Sequence, residues 1–206
     1  MDYVEIAVLG DSIANGCFDE TGKGWILRLL EKLNAQRPYS YYLNNYAFAG
    51  DRSADVFHKL CHSVIPMRPD VLIIAVGTND ISRWVKADNP TNMSFPLSLD
   101  YWERILDIAR KNIKKIIVAG LIPCDESRYP KAGLGDRPSW RKNDDVQAYD
   151  SWLKAFSREH ELLFLDFHDG FAAAGGAELL LDGTHPNTEG HRWMADYAYS
   201  CLKNSV

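Results

Sequence analysis

Val71-Leu72-Ile73-Ile74-Ala75-Val76, with Gly77-Thr78-Asn79-Asp80 directly behind it, is the stretch that decides how this chain folds. A nearly continuous apolar run of this kind is what a strand covered by helices on both faces looks like. Val4 to Leu9, Tyr41 to Ala47, Lys115 to Leu121 and Leu162 to Phe167 are further strand candidates. Between them, Trp25 to Asn34, Ser53 to Val64, Leu99 to Asn112, Val146 to Glu159 and Thr188 to Leu202 carry apolar residues at helical spacing. Trp102, Ile105, Leu106 and Ala109, for instance, form one stripe. Strands alternating with helices predict an α/β chain, a three-layer α/β/α sandwich around a five-stranded parallel sheet.

Size and composition narrow the choices. A chain of 206 residues buries roughly 70% of its unfolded surface and is short for two independent cores. One domain over residues 1–206 is therefore expected. With 46% hydrophobic and 25% charged residues, the composition is that of an ordinary globular protein. The net charge of −5 comes from acids and bases mixed along the chain, without the basic clusters that neutralise phosphates, so nucleic acid is not an expected partner. Cys17, Cys61, Cys124 and Cys201 lie far apart and suggest neither a zinc site nor a redox pair. The first apolar run, from Val4, has no basic leader before it and no small-residue cleavage site after it, which predicts a cytoplasmic chain. A leader removed beforehand would leave the same sequence. No apolar stretch approaches the roughly 20 residues that span a bilayer.

Two stretches fit neither strand nor helix. Trp84 to Ser98 and Cys124 to Asn143 are rich in Pro, Asp, Asn, Ser and Gly and are too long for simple connections. Both follow the carboxyl ends of expected strands, where open α/β sheets bind ligands, and read as substrate-facing loops. Functionless surface insertion is the alternative.

Chemistry enters at the strand ends. Gly10-Asp11-Ser12 follows the first strand and sets a hydroxyl on a turn in an apolar setting. Such a serine attacks carbonyls only with a base to take its proton and donors to hold the oxyanion. Near the other end, Leu181-Asp182-Gly183-Thr184-His185-Pro186-Asn187 places an Asp three residues before a His. That spacing lets the carboxylate orient the imidazole and support its cation, leaving the other nitrogen for the serine. Alternatively, Asp182 merely shapes the turn. Gly50, within Asn45-Tyr46-Ala47-Phe48-Ala49-Gly50-Asp51, brings a backbone N–H within reach of a substrate, and Asn79 offers an amide. With the N–H of Ser12 they make three donors, each just past an expected strand on one edge of the sheet. Asp11, and the loop aromatics Trp84, Tyr129 and Trp140, are candidate substrate contacts; anchoring of the loops is the other reading of the aromatics.

At these residues the chain resembles the GDSL/SGNH hydrolase family. Gly10-Asp11-Ser12 with Gly16, then Gly50-Asp51, Gly77-Thr78-Asn79-Asp80 and Asp182-Gly183-Thr184-His185 match its four blocks in order, across residues 10–187. Ile13 stands where the family name has leucine. The resemblance implies a flavodoxin-like sandwich, ester hydrolysis without a cofactor or metal, and a triad of Ser12, Asp182 and His185. It also implies an oxyanion hole from Ser12, Gly50 and Asn79.

Other signals carry less. Gly22-Lys23-Gly24 has neither the spacing nor the following Ser or Thr of a phosphate loop. His58 and His62 stand one helical turn apart, but no Glu follows His58 and no third ligand is evident. His168, flanked by Asp166 and Asp169, and His191 are rival bases that lack the Asp at the matched spacing. The polar loops favour a small acyl or acetyl ester of a polar alcohol as substrate. Lysophospholipids and thioesters with longer chains also suit the triad. A silent module that binds a small ligand in the same crevice is the alternative from another class.

Overall fold

The structure is a computed structural model that describes residues 3–132 and 138–206. The main sheet holds β1 (Val4–Gly10), β2 (Tyr41–Asn45), β3 (Val71–Ala75), β5 (Lys115–Ala119) and β8 (Leu163–Leu165), in the order β2-β1-β3-β5-β8 with every pair parallel. The three remaining strands, β4 (Arg83–Trp84), β6 (Lys131–Ala132) and β7 (Pro138–Trp140), form a small antiparallel sheet in the order β4-β7-β6. Apart from Arg83, that sheet falls within the two stretches expected to be loops. Strands of two or three residues are too short to show a period of two in sequence.

Both faces of the main sheet are buried, and alternate residues serve opposite cores. Ile6, Val8, Ile73 and Ile117 pack with α2 (Gly24–Gln36), α6 (Phe167–Ala174) and α7 (Thr188–Leu202). Ala7, Leu9, Leu72, Ile74, Ile116 and Val118 pack with α3 (Ser53–Lys59), α4 (Phe95–Asn112) and α5 (Asn143–Glu159). That two-sided burial is why the β3 run shows no polar alternation. On α2 the buried Trp25, Ile26, Leu29 and Leu33 form the single stripe that a helix covering a sheet presents.

Boundaries moved more than elements. The helix expected over Ser53–Val64 is α-helical to Lys59, then widens to a π-helical turn over Leu60–Val64. Helix α4 begins four residues before Leu99 because Pro96 can occupy a first turn, where no N–H partner is needed. Among the described residues no helix is long and apolar enough to cross a membrane.

Strand order decides where ligands meet the chain. From β1 the chain runs to β2 on one side, then returns past β1 to β3 on the other, so the order reverses between β1 and β3. Open parallel sheets hold their ligands at the carboxyl end of such a switch point.

Candidate active site

Ser12 is delivered to that point by the end of β1. The Asp11 carboxylate accepts the Ile13 N–H at 2.9 Å, which starts the short helix α1 (Ser12–Asn15) with Ser12 at its first position. The opposing turn is built by Asp182. Its Oδ1 accepts the N–H groups of Thr184 at 3.0 Å and His185 at 2.9 Å. Its Oδ2 lies 2.8 Å from Nδ1 of His185. Shaping the turn and facing the imidazole, set against each other in the sequence, are done by one carboxylate.

Ser12 Oγ stands 2.7 Å from His185 Nε2. With Nδ1–H directed at Asp182, Nε2 carries the lone pair and accepts the serine hydroxyl. Ser12 and His185 are 8% and 9% exposed, so the pair is largely shielded from solvent. The Phe18 ring lies against the imidazole, centroids 4.8 Å apart. Phe18 has φ 67, a strained value for an aromatic residue. Its neighbour Asp19 fixes the loop by accepting from Thr21, Gly24 N and the Arg28 guanidinium. Burial acts to raise the Asp19 pKa, but hydrogen bonds from Thr21, Thr188 and Gly24 outweigh it and hold the carboxyl well below its ordinary range.

The three expected donors differ in their surroundings. Neither Ser12 N–H nor Gly50 N–H donates to another described residue. Gly50 has φ 91 with open space where a Cβ would stand, so backbone conformation rather than crowding requires glycine there. Asn79 sits in the turn after β3, where its Nδ2 donates to Asp51 O at 3.0 Å and its Oδ1 accepts from Arg141 at 3.0 Å. Asp80, fully buried, accepts from Ser53 N at 3.0 Å and Tyr149 OH at 2.7 Å. Its carboxylate thereby ties the loop after β2 to the loop after β3. Burial pushes its pKa up.

The candidate substrate contacts fare differently. Asp11 is 2% exposed and its carboxylate caps the start of α1. The Tyr129 hydroxyl is engaged with Gly183 O at 3.1 Å and Thr184 Oγ1 at 2.6 Å, bracing the Asp182 turn. Trp84 pairs with Ser139, and Trp140 with Arg83, in the small sheet. Directly paired residues share a face and successive residues alternate, so the two indoles point to opposite faces and do not line one pocket together.

Phe18 and Arg141 belong to the site and were not singled out from sequence. Phe18 lies in a Cys-Phe-Asp stretch without period, and Arg141 in the charged run Trp140-Arg141-Lys142-Asn143-Asp144, which reads as solvated surface. In the structure Arg141 is 8% exposed.

A hydroxyl, an imidazole and a carboxylate in line at the carboxyl edge of a parallel sheet define the class of serine hydrolases. The sequence pattern of the GDSL-like Lipase/Acylhydrolase family matches residues 8–193. The chain belongs to that family and is an ester-hydrolysing serine hydrolase. Acetylxylan esterase of Geobacillus stearothermophilus is 25% identical over 205 residues, covering 93% of this chain and 90% of that protein. Esterase TesA of Pseudomonas aeruginosa is 33% identical over 75 residues, which is 36% of this chain and only 37% of that relative's length. Of solved structures, the lipase/acylhydrolase from Enterococcus faecalis superposes with a TM-score of 0.81 at 20% identity, over 98% of this chain and 96% of that one. At that identity the likeness shows the fold, the five-stranded parallel α/β sandwich.

Proposed function

We propose that this chain hydrolyses a short acyl or acetyl ester of a polar alcohol through an acyl-serine on Ser12. The observation that carries the reading is the unbroken line from Ser12 Oγ through the imidazole of His185 to Asp182, with contacts of 2.7 Å and 2.8 Å. Ser12 Oγ attacks the acyl carbon while His185 Nε2 takes its proton, and Asp182 supports the imidazolium. The oxyanion formed is held by Ser12 N–H, Gly50 N–H and the Asn79 amide, each such donor being worth about 3 kcal/mol in the transition state. Nε2 returns the proton to the departing alkoxide. Water, deprotonated by the same nitrogen, then attacks the acyl carbon and frees the acid and the serine.

The short acyl group is supported by the acetylxylan esterase relative, which aligns over most of this chain. A polar alcohol suits the Asp- and Asn-rich stretch after β4, and it agrees with the acetylated polysaccharide for which the acetylxylan esterase relative is named.

Fluorophosphonate labelling followed by peptide mapping tests the nucleophile. Ser12 carries the label, and Ser12→Ala loses it together with activity by about 10⁵-fold or more. Labelling elsewhere, or an active Ser12→Ala protein, defeats the assignment. A p-nitrophenyl ester series run beside acetylated xylo-oligosaccharides tests the substrate. Turnover confined to long acyl chains would refute the short-acyl reading.

A further inference from the structure

Arg141 stands between β7 and α5, and its guanidinium bridges two turns that are distant in sequence. Nε donates to Thr78 O at 3.1 Å, Nη2 to Asn79 Oδ1 at 3.0 Å and Nη1 to Thr184 Oγ1 at 3.4 Å. Each of these acceptors is a neutral oxygen, although the charge of Arg141 also acts on the buried carboxyl of Asp11. A buried cation held by neutral oxygens disfavours folding, and a neutral side chain of similar volume would fill the place at lower cost. Packing alone therefore does not account for an arginine here.

The amide of Asn79 gives the reason. A carboxamide has an acceptor end and a donor end of nearly equal size and can turn over by half a rotation. With a guanidinium N–H aimed at one end, only oxygen is tolerated there, so the NH₂ is forced to the other. One of its hydrogens is used on Asp51 O, and the second is left for a substrate oxygen. A cationic donor on Oδ1 also polarises the amide and strengthens Nδ2–H as a donor. Through Thr184 the same guanidinium touches the turn carrying Asp182 and His185. We infer that Arg141 is a positioning residue for ester hydrolysis, fixing the sense of the Asn79 amide and polarising it toward the oxyanion. This rests on the reading of Asn79 as an oxyanion donor.

A double-mutant cycle on the intact chain separates the two claims. Asn79→Ala is expected to lower kcat by about 10²- to 10³-fold. Arg141→Met is expected to lower kcat and kcat/KM alike by about 10- to 100-fold with KM nearly unchanged, because the contact matures in the transition state. Added to Asn79→Ala, Arg141→Met should cost less than about 3-fold, since residues acting as one unit are not additive. Arg141→Lys keeps the charge but cannot serve all three oxygens, and should fall between Met and wild type. If Arg141→Met does not fold by circular dichroism, the cycle is run with Arg141→Lys, and the same non-additivity is expected. An unchanged kcat in the foldable Arg141 variant, or its full cost retained in the Asn79→Ala background, overturns the role of Arg141. Wild-type kcat in Asn79→Ala overturns the oxyanion assignment itself.

Discussion

The turn that presents Ser12 also places a carboxyl in the interior one residue earlier, and the two facts have one cause. Asp11 must lie behind the serine to reach the Ile13 N–H, and there burial pushes its pKa from 3.8 up to about 7, against the pull of that N–H and of Arg141. Between those two values the folded chain keeps a proton that the unfolded chain releases. Unfolding is therefore favoured as pH rises through this window, and stability levels off above about 7. Asp11→Asn keeps an oxygen for Ile13 and cannot ionise. Its stability relative to wild type should grow by up to about 1.4 kcal/mol per pH unit across the window. Urea melts at pH 5, 6 and 8 measure this; an equal gap at all three values would show that Asp11 does not titrate there. The candidate site was legible where its residues are written locally. Asp182 and His185 lie within one turn, and Ser12, Gly50 and Asn79 each lie close beyond a strand. Arg141 and Phe18 were not legible, because their meaning arises only when the Asn79 turn and the His185 ring are brought against them. The turn-building roles of Tyr129 and Asp11 were not legible either, because a polar group in a functional motif can face inward to build the turn.

Among the elements, the loop from Gly16 to Gly24 shows how a glycine pattern can have a purely backbone cause. Its spacing did not fit a phosphate loop, and the structure supplies the reason for the glycines: a Cβ on Gly24, which has φ 58, would stand 2.4 Å from the Cα of Gly16. The two chains cross there at the start of α2, below the loop that holds Phe18 against His185. Gly22 also has a positive φ, 69, but its Cβ would meet nothing within 4 Å. Gly22→Ala should thus cost only the left-handed strain, about 1 kcal/mol, while Gly24→Ala adds a collision and should cost about 3 kcal/mol. Thermal or urea denaturation of both variants decides it, and equal costs would mean that the crossing is not tight. The main strands and their covering helices were legible because each buries a stripe or a whole run, as Val71 to Ala75 and the Trp102 stripe do. The small sheet of β4, β6 and β7 was not, since its strands hold too few residues for any periodicity.

Across the whole molecule, the proposed mechanism requires the two ends of the chain to be held together. Ser12 follows the first strand and His185 precedes the last helix, so no local element contains both. They are clipped by a seam between the start of the chain and α7. Glu20 N donates to Thr188 Oγ1 at 3.1 Å, the His191 ring bonds Cys17 O at 3.1 Å, and Lys32 pairs with Asp196 at 2.6 Å. Beneath them α2 and α7 share one apolar core with β1 and β3. Because that core includes the central strands, the seam should not open before the sheet does, and unfolding should be a single cooperative step. Fluorophosphonate labelling of Ser12, tryptophan fluorescence and far-ultraviolet circular dichroism should therefore report urea midpoints within about 0.2 M of each other. Labelling lost about 1 M earlier than the dichroism would show that α7 or the Phe18 loop detaches as a separate unit, leaving the nucleophile without its base while the sheet stays folded.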